Sequence, residues 1–441
     1  MLLRRRFTIV LTLCAYAALN LIAAPGWAGL QKYLRKPEAE FGWQLRNKSD
    51  SEPSGDRIYD LHFVSQTWQE SNWRHQLQVY RPRGAAPSAA MLLWVTGGSA
   101  RPDNVGLGME LARRIRAPVA FLYHIPNQPL LEGNLREDDL IAETFVRYLK
   151  TKDESWPLLF PMVKSIVKAM DVLQAFGKKE WHRSIEKFIV AGASKRGWAT
   201  WLSAAADPRV GGIAPVVIDT LNMREQMPRQ LQAFGAYSSQ LVPYSSRGLL
   251  PIPETPEGRR LLSMIDPWAY REKLTMPKLI INGTNDFYWA TDALNVYWNG
   301  IPNDKWVLYV PNAGHNLRRQ DRPQPDQLDH LINGLAAFSR HQISGTAMPK
   351  LSWKHESVNG KLRLAIAATP APRGARLWIA QTPTADFRAA KWSEQAMTLS
   401  DGRLVGEVTP PDKGHLAFFG ELDYEIDGLP YQLSTQVRMT E

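Results

Sequence analysis

Apolar and polar residues along this chain follow two different periods, and the change from one to the other predicts its main elements. Residues 60–68 and 74–80 alternate between apolar and polar side chains, which is typical of antiparallel strands. Residues 91–95 form a continuous apolar run, as in a strand whose two faces are both buried. Antiparallel strands are therefore expected to lead into a central strand.

Downstream of that run, helix-like and strand-like segments follow one another in turn. The helix-like segments have apolar residues at helical spacing and cover residues 107–116, 137–150, 156–176 and 326–341. The strand-like segments are apolar runs at residues 117–123, 188–191, 211–219 and 306–310, with a further run that starts at residue 278. This alternation predicts the α/β class, with a mostly parallel sheet and helices on both of its faces.

Two regions depart from the alternation. Residues 220–265 are irregular, and an insertion at that point would cover the carboxyl ends of the strands as a lid. From residue 351 the chain consists of short alternating strands between turn residues, which predicts a β-sandwich-like domain over residues 350–441. The α/β domain is thus expected over residues 29–345.

The first 28 residues have the organisation of a signal peptide. Three arginines at residues 4–6 precede an apolar stretch over residues 7–24, and Gly26 and Ala28 supply small side chains for cleavage after Ala28. An uncleaved membrane anchor is the alternative, at the short limit of a spanning helix. We expect a periplasmic or secreted protein with no stable membrane span after processing. Cys14, the single cysteine, lies in this leader, so no disulfide or thiol chemistry is expected afterwards.

Composition narrows the function classes. Apolar residues make up 44% of the chain and charged residues 22%, which is typical of a soluble globular protein. The formal net charge of +10 is spread along the chain without a run of Lys and Arg interleaved with aromatic residues, so no nucleic-acid partner is expected. The histidines lack the spacing of metal ligands, and the sequence has no phosphate loop or dinucleotide fingerprint. We therefore expect no metal and no cofactor.

The strongest chemical signal is a strand–turn–helix segment around Ser194. The apolar run at residues 188–191 leads into GASKRG, residues 192–197, and then into an apolar stretch of helical character. A nucleophile elbow needs this context, because small residues let strand and helix approach while the serine stays exposed at the helix N-terminus. The motif reads G-x-S-x-x-G, with its second glycine one residue later than in the usual G-x-S-x-G.

An acid and a base follow Ser194 in the order of a catalytic triad. Asp286 and His315 each lie in a turn directly after a predicted strand. The order serine, acid, histidine, each at the end of a strand, predicts Ser194, Asp286 and His315 as catalytic residues. Asp219, also at a strand end, is the alternative acid.

Donors for an oxyanion are expected from two places. Gly97 and Gly98 directly follow the buried strand at residues 91–95, and a glycine pair there lets backbone N–H groups turn toward a ligand. The N–H of Lys195 opens the helix after Ser194, and the Lys195 side chain either adds positive charge or lies on a solvated face.

Taken together, these segments resemble the PhoPQ-activated pathogenicity-related protein family, an α/β-hydrolase-like group. The matching segments are residues 192–198, 207–210, 217–222, 283–286 and 313–315. The resemblance covers roughly residues 30 to 345, and it implies an α/β-hydrolase-like fold, export and a link to virulence. The elbow is also distantly similar to that of glucuronoyl esterases, where a basic residue after the serine is thought to help hold the oxyanion. Lys195 stands in that position, with Lys instead of Arg and with Ala193 where those enzymes usually have cysteine.

Two functions of the α/β domain follow as hypotheses, and a third, a carbohydrate- or envelope-binding adhesin, would depend on the β-sandwich-like domain. The first is an exported serine hydrolase that cleaves an ester or amide bond in envelope or virulence-related biology, with a small molecule or a peptide or glycan ester as substrate. The alternative is a catalytically silent hydrolase-fold binding protein of the cell envelope, because a shared fold does not guarantee activity. The presence of Ser194, Asp286 and His315 together favours the enzyme.

Overall fold

A computed structural model describes residues 25–51, 54–324 and 326–440. Residues 1–24 of the predicted signal peptide lie outside this part, and residues 25–28 open the first helix, α1 (Pro25–Arg35). Trp27 donates from its Nε1 to the carbonyl oxygen of Ala205 at 3.4 Å, and Leu30 is buried in the core. A search of the described residues finds no helix with the length and apolar character needed to cross a membrane.

Helices and strands alternate through the centre of the chain. The helices are α1 (Pro25–Arg35), α2 (Pro102–Ile115), α3 (Glu137–Thr151), α4 (Leu159–Trp181), α5 (Lys195–Ala206), α6 (Met223–Phe234), α7 (Val242–Ser245), α8 (Pro256–Ile265) and α9 (Asp329–Ser344). Short 3-10 helices cover Ser239–Leu241, Pro267–Lys273, Ala293–Val296, Trp298–Gly300 and Asp326–Leu328. The first nine strands are β1 (Gly42–Ser51), β2 (Asp56–Trp68), β3 (Ser71–Arg81), β4 (Ala90–Val95), β5 (Val119–Leu122), β6 (Lys187–Ala193), β7 (Val210–Val216), β8 (Lys278–Gly283) and β9 (Lys305–Val310). The remaining strands are β10 (Lys350–Val358), β11 (Lys361–Thr369), β12 (Gly374–Thr382), β13 (Ser393–Ala396), β14 (Thr398–Ser400), β15 (Arg403–Val408), β16 (His415–Ile426), β17 (Leu429–Ser434) and β18 (Arg438–Met439).

The main sheet has a parallel centre and antiparallel flanks. Strands β5, β4, β6, β7, β8 and β9 lie parallel to one another in that order, and β3, β2 and β1 continue the sheet as an antiparallel ribbon beyond β5. The continuous apolar run of β4 lies between β5 and β6, where both faces are covered. The α/β class expected from the alternation is confirmed.

Helices cover both faces of the parallel centre. Apolar residues of α2 and α9 form one buried cluster against the sheet, and those of α4 and α5 belong to the cluster on the other face. This two-sided cover explains why β5 and β8 are buried along their whole length. It also places the turns after β4, β6, β8 and β9 at one edge of the sheet, because the carboxyl ends of parallel strands share an edge.

The lid segment, residues 220–265, is more regular than its sequence suggests. It contains the helices α6, α7 and α8, so the expectation of an irregular segment is wrong for these stretches. Pro228 lies inside α6 among polar residues, which hides a helical period. At α8 the sequence does contain a helix-start signal, a threonine followed by a proline. The Thr255 Oγ1 caps the helix by accepting from the Gly258 N–H at 3.1 Å, and Pro256 is the first helical residue.

The C-terminal strands form two layers, and one of these layers belongs to the main sheet. Strands β10, β11, β15 and β14 make a separate four-stranded sheet. Strands β17, β16, β12 and β13 extend the main sheet instead, through an antiparallel pair at Ser434 and Val307 that joins β17 to β9. The two layers touch where Gly406 faces Leu377 and Gly420 faces Ile366. The antiparallel strand region is thus as expected, but hydrogen bonding continues across the predicted boundary near residue 345, since β17 covers what would be an open edge at β9.

A buried ionic cluster ties α9 to this C-terminal layer. Glu421 of β16 is fully buried, accepts from His330 Nε2 of α9 at 2.8 Å, and pairs with Arg376 of β12. Burial alone would raise the pKa of the Glu421 carboxyl, but the charges and hydrogen bonds of His330 and Arg376 outweigh it and lower that pKa to about 2. The carboxylate is therefore held ionised inside the structure.

Replacing Glu421 by Gln should destabilise the protein and weaken its response to acid. Arg376 keeps Asp423 and Glu394 as acidic partners, so losing its charged hydrogen bond to Glu421 should cost about 1.5–3 kcal/mol at neutral pH. Since the folded-state pKa lies below the ordinary 4.5, the stabilisation is complete above about pH 4.5 and is lost as the pH falls toward about 2. Urea unfolding at neutral pH and near pH 3 checks this. Glu272→Gln, at a side chain 73% exposed, is the control, and an equal loss for Glu421→Gln at both pH values would contradict the argument.

Candidate active site

Ser194 lies alone in the turn between β6 and α5, in a strained backbone conformation. Its φ of 56° and ψ of −129° are unusual for a residue with a side chain. The backbone holds it there: the Ser194 N–H donates to the Val216 carbonyl oxygen at 2.8 Å, and its own carbonyl oxygen accepts from the Trp198 N–H at 3.0 Å. This is the strand–turn–helix geometry expected of a nucleophile elbow.

The two glycines of the motif are needed because strand and helix nearly touch. A Cβ on Gly197 would lie 2.7 Å from the Gly192 carbonyl oxygen and 2.6 Å from Ile218. The second glycine therefore lies three residues after Ser194, where the first turn of α5 passes over β6. The unusual spacing of the motif follows from that contact.

His315 and Asp286 are brought together at the ends of β9 and β8. The imidazole Nδ1 lies 2.8 Å from Asp286 Oδ2 and 3.0 Å from Oδ1, and Oδ1 also accepts from the Tyr288 N–H at 2.7 Å. With its Nδ1–H donated to the carboxylate, the neutral ring leaves Nε2 as a proton acceptor. That Nε2 is buried and has no hydrogen-bond partner among the described residues. The ring of Tyr288 packs on the imidazole, with centroids 4.3 Å apart.

Asp219, the alternative acid, is held elsewhere. It accepts hydrogen bonds from the Tyr297 hydroxyl and, at 2.8 Å, from the Asn282 amide, and it makes no bond to His315. Burial raises the pKa of Asp219 to about 7, against the opposing effect of these two hydrogen bonds. Of the two candidate acids, the geometry places Asp286 beside the histidine.

Ser194 lies at the same edge of the sheet as this pair but is not bonded to it. No hydrogen bond joins the Ser194 hydroxyl to His315 in the part of the chain that the structure describes, since the acceptor Nε2 has no partner. The structure thus unites two of the three predicted residues directly. Ser194 lies at that edge because β6, which precedes it, is parallel to β8 and β9, with β7 between β6 and β8.

Lys195 is buried and ion-paired. Its Nζ lies 3.0 Å from Glu137 Oε2 and 3.1 Å from Asp138 Oδ2, and its side chain is only 8% exposed. The alternative of a solvated face is therefore wrong. Two carboxylates at this distance compensate the ammonium charge. Burial alone would raise the pKa of Glu137, but Arg196 and Lys195 outweigh it and lower that pKa to about 2.

Arg196 clamps the predicted oxyanion loop to the helix that carries Ser194. Its guanidinium forms a two-bond pair with Glu137 at 2.7 Å for each bond, and its Nε donates to the Ile125 carbonyl oxygen at 2.6 Å. The same guanidinium lies directly against Gly97, where a Cβ would come within 1.8 Å of Nη2. The Gly98 carbonyl oxygen in turn accepts from the His124 N–H at 3.1 Å. The loop that carries Gly97 and Gly98 is thereby fixed relative to α5.

Sequence reasoning missed the two acids that organise this cluster. Glu137 and Asp138 were visible only as an acidic first turn of a predicted helix, which is common at helix N-termini. Tyr244 of α7 donates to Asp138 Oδ1 at 3.0 Å, so the same acid also anchors the lid. Nothing in the local sequence links these residues to Ser194, because the contacts bridge distant parts of the chain.

A cavity of about 300 Å³ lies beside Ser194 and Lys195. Its core-side wall includes Phe145 of α3 and Trp198 of α5. The remaining wall comes mostly from the predicted lid: Met223, Met227, Pro228 and Leu231 of α6, Leu241, Tyr244 of α7, residues 249–252, and Leu262 and Ile265 of α8. The lid segment thus encloses space next to the elbow.

The family described as PhoPQ-activated pathogenicity-related protein matches residues 30–388 of this chain. The chain belongs to this family. The match includes Ser194, Asp286 and His315, and it extends past residue 345 into the C-terminal strands. The resemblance stated from the motifs is confirmed.

This chain is also similar to one curated protein in sequence and to solved esterase structures in fold. Autocrine proliferation repressor protein A of Dictyostelium discoideum is 31% identical over 444 residues, covering 92% of this chain and 88% of that protein. Acetyl xylan esterase 1 from Thermoanaerobacterium sp. JW/SL YS485 superposes with a TM-score of 0.51 at 15% identity, over 72% of this chain and 92% of the esterase. A glucuronoyl esterase from Solibacter usitatus also matches, with a TM-score of 0.43 at 12% identity, over 71% and 91% of the two chains. The superposition on acetyl xylan esterase 1 shows that the PhoPQ-related chain has an α/β-hydrolase fold.

The clamp at Gly97 makes a stability prediction for this PhoPQ-related protein. Gly97→Ala should lower the free energy of unfolding by about 1–3 kcal/mol, because Arg196 cannot move away without breaking its bonds to Glu137 and Ile125. Gly98→Ala is the matched control, since a Cβ there meets nothing within 4 Å. Urea or thermal unfolding of both variants checks the expectation. If the two variants lost the same stability, the clamp would not be rigid.

Proposed function

We propose that this PhoPQ-related protein is a serine hydrolase that cleaves an ester bond, with Ser194 as nucleophile, His315 as base and Asp286 as the acid that orients it. The observation that carries the proposal is the His315–Asp286 hydrogen bond at 2.8 Å, at the sheet edge where Ser194 sits in an elbow turn. The esterase fold and the cavity beside Ser194 support it. An ester is favoured over an amide because the fold neighbour that superposes with a TM-score of 0.51 is named as an esterase.

The chemistry follows from the orientation of the imidazole. As the Ser194 oxygen bonds to the ester carbonyl carbon, its proton passes to His315 Nε2, and the carbonyl π pair moves onto the oxygen as an oxyanion. Asp286 stabilises the imidazolium. Collapse of the intermediate expels the alcohol, which takes the proton from His315, and a water molecule repeats the sequence on the acyl-enzyme. The hydrogen bond between Ser194 and His315 would form when substrate binds, as catalytic hydrogen bonds often do.

The oxyanion is assigned to backbone donors. The N–H of Lys195 opens α5, whose first N–H groups have no acceptor within the helix and carry the positive end of its dipole. The loop of Gly97 and Gly98, held by Arg196, would supply the second donor. The Lys195 ammonium contributes less to the oxyanion, because Glu137 and Asp138 already compensate its charge.

A silent binding protein is the second candidate. The absence of a hydrogen bond between Ser194 and His315 favours the binding protein. An inactive triad can keep its fold while its serine and histidine no longer exchange a proton. In that case the cavity would bind a ligand without cleaving it. If the folded wild-type protein is not labelled by a fluorophosphonate probe, that result favours the binding protein over the enzyme.

Export also belongs to the proposal, on the leader predicted over residues 1–28. Cleavage after Ala28 would remove the bond from Trp27 to Ala205 and the close contact of Gly26 with the Ser263 carbonyl oxygen. Intact mass measurement of the protein from the periplasmic and secreted fractions tests it. A chain that begins at Gly29 would support the predicted site, and full-length protein in the cytoplasm alone would contradict export.

Covalent labelling should depend on Ser194 and His315. A fluorophosphonate probe is expected to label the wild-type protein, and Ser194→Ala and His315→Ala should abolish the label and lower ester hydrolysis by about 10⁴-fold or more. In-gel fluorescence and hydrolysis of p-nitrophenyl esters provide the measurements, with circular dichroism to show that each variant is folded. A folded wild type without label would support the binding protein.

The two candidate acids make a matched pair of variants. Asp286→Asn should lower kcat by about 10⁴-fold, because the amide no longer holds the imidazole in its tautomer. Asp219→Asn should leave kcat within a few-fold, because its hydrogen bonds go to Tyr297 and Asn282 and not to His315. Steady-state kinetics on one ester substrate compare them. The reverse ranking would assign the acid to Asp219.

A further inference from the structure

Every charged side chain that lines the cavity beside Ser194 is compensated. Lys195 pairs with Asp138 at 3.1 Å and with Glu137 at 3.0 Å. The other two charged lining residues, Arg224 and Glu254, pair with each other at 3.2 Å, and both are more than half exposed. Among the residues that the structure describes, no charge in the wall is left unpaired for an ionised group such as a free carboxylate, and burying such a group unpaired would be costly.

The rest of the wall is almost wholly apolar. Leu, Ile, Met, Pro and aromatic side chains dominate it, including Met223, Met227 and Leu262 from the lid helices. A sugar ring would bring several hydroxyl groups into this wall without partners for them. An alkyl or aryl group would instead be stabilised there, by roughly fourfold in affinity for each methylene removed from water.

Two lining residues carry buried donors with no partner among the described residues. These are the Thr220 hydroxyl and the Trp289 indole N–H. An indole N–H only donates, and the oxygens of an ester only accept. A ligand with one or two acceptor oxygens and an apolar chain therefore matches the wall better than a ligand rich in donors.

Exposed apolar side chains cluster around the same cavity. Among the described residues, four large apolar side chains are markedly exposed, and three of them are Leu231, Val242 and Phe287, at 43%, 54% and 52%. Leu231 lines the cavity, Val242 opens α7 beside the lining residue Leu241, and Phe287 precedes the lining residue Tyr288. An exposed apolar rim of this kind marks a surface that receives an apolar ligand.

We propose that the substrate is an uncharged carboxylic ester with an alkyl or aryl group of moderate size, and that this group occupies the cavity beside Ser194. The inference rests on the proposed hydrolase function and names its substrate class. With a molecular volume of about 30 Å³ for a water-sized group, 300 Å³ has room for on the order of ten non-hydrogen atoms. Acetyl esters would leave most of this space unfilled, and sugar esters would bring hydroxyl groups without partners into it.

Two substrate series test the inference and distinguish the acyl side from the alcohol side. The first is p-nitrophenyl acetate, butyrate and octanoate, and the second is methyl, butyl and octyl acetate, each used as dissolved monomer with the full-length protein. In one of the two series, kcat/KM should rise by at least about tenfold from the shortest chain to the longest. An acetylated xylo-oligosaccharide provides the hydrophilic comparison and should be cleaved more slowly than the best apolar ester.

Substitutions in the cavity wall test whether the alkyl chain of the substrate binds there. Met223 is a half-buried lining residue, so Met223→Trp should fill part of the cavity and lower the ratio of long-chain to short-chain kcat/KM by about fivefold or more. Leu231→Lys at the exposed rim should lower the same ratio, and it gives a second test if Met223→Trp fails to fold. Leu399→Trp, at a side chain 74% exposed on β14, is the matched control and should keep the wild-type ratio.

The outcomes separate this inference from the function on which it rests. Hydrolysis that requires Ser194, favours long chains and loses that preference in Met223→Trp or Leu231→Lys supports both. Hydrolysis that requires Ser194 but favours acetyl, methyl or glycan esters, or a preference that neither lid variant changes, overturns the substrate class and leaves the hydrolase standing. No Ser194-dependent hydrolysis of any ester by folded protein overturns both.

Discussion

The chain passes from β6 into α5 through one residue, Ser194, and the close approach of strand and helix at that point constrains the whole site. The contact leaves no room for a side chain at Gly197 and little at Gly192, and Ser194 between them has a positive φ. The same turn determines where the first side chains of α5 point. Lys195 reaches the cavity, and Arg196 reaches back to the loops after β4 and β5. The positions of the glycine loop and the acidic turn of α3 thus depend on a backbone turn of one residue.

Charge compensation is the second theme of the site. Two cations follow the serine, and a less compensated arrangement would attract anions to the cavity. Glu137 and Asp138 at the start of α3 neutralise both cations and, through Tyr244, also hold the lid. The result is a cavity whose charged groups are satisfied among themselves and whose remaining wall is apolar. In this protein, the basic residue that follows Ser194 therefore has a structural role, because it pairs with two carboxylates of α3.

The described C-terminal strands show how a second region is joined to a hydrolase sheet. The β17 strand pairs with β9, so the strand that precedes His315 has a neighbour on each side and the sheet continues into the C-terminal layer. The ionic cluster of Glu421, His330 and Arg376 then connects α9 to that layer. The turn that carries His315 is also reached from this layer, because Asn312 donates to the Trp392 carbonyl oxygen at 2.9 Å. The C-terminal region therefore supports the turn that carries His315 as well as its own core.

The sequence by itself determined the features that depend on neighbouring residues. Periodicity identified the parallel strands and the helices between them, and the small residues around Ser194, with Asp286 and His315 after later strands, identified the candidate site. Only the tertiary structure decided the contacts between residues far apart in the chain: Asp286 rather than Asp219 beside His315, the Arg196–Glu137 clamp, and the pairing of β17 with β9. It also decided that residues 220–265, the predicted lid, contain helices, since Pro228 and the polar residues of α6 obscure the helical period in the sequence. The physical reason is that local pattern reports which face of an element is apolar, whereas the partner of that face is chosen by the folded arrangement as a whole.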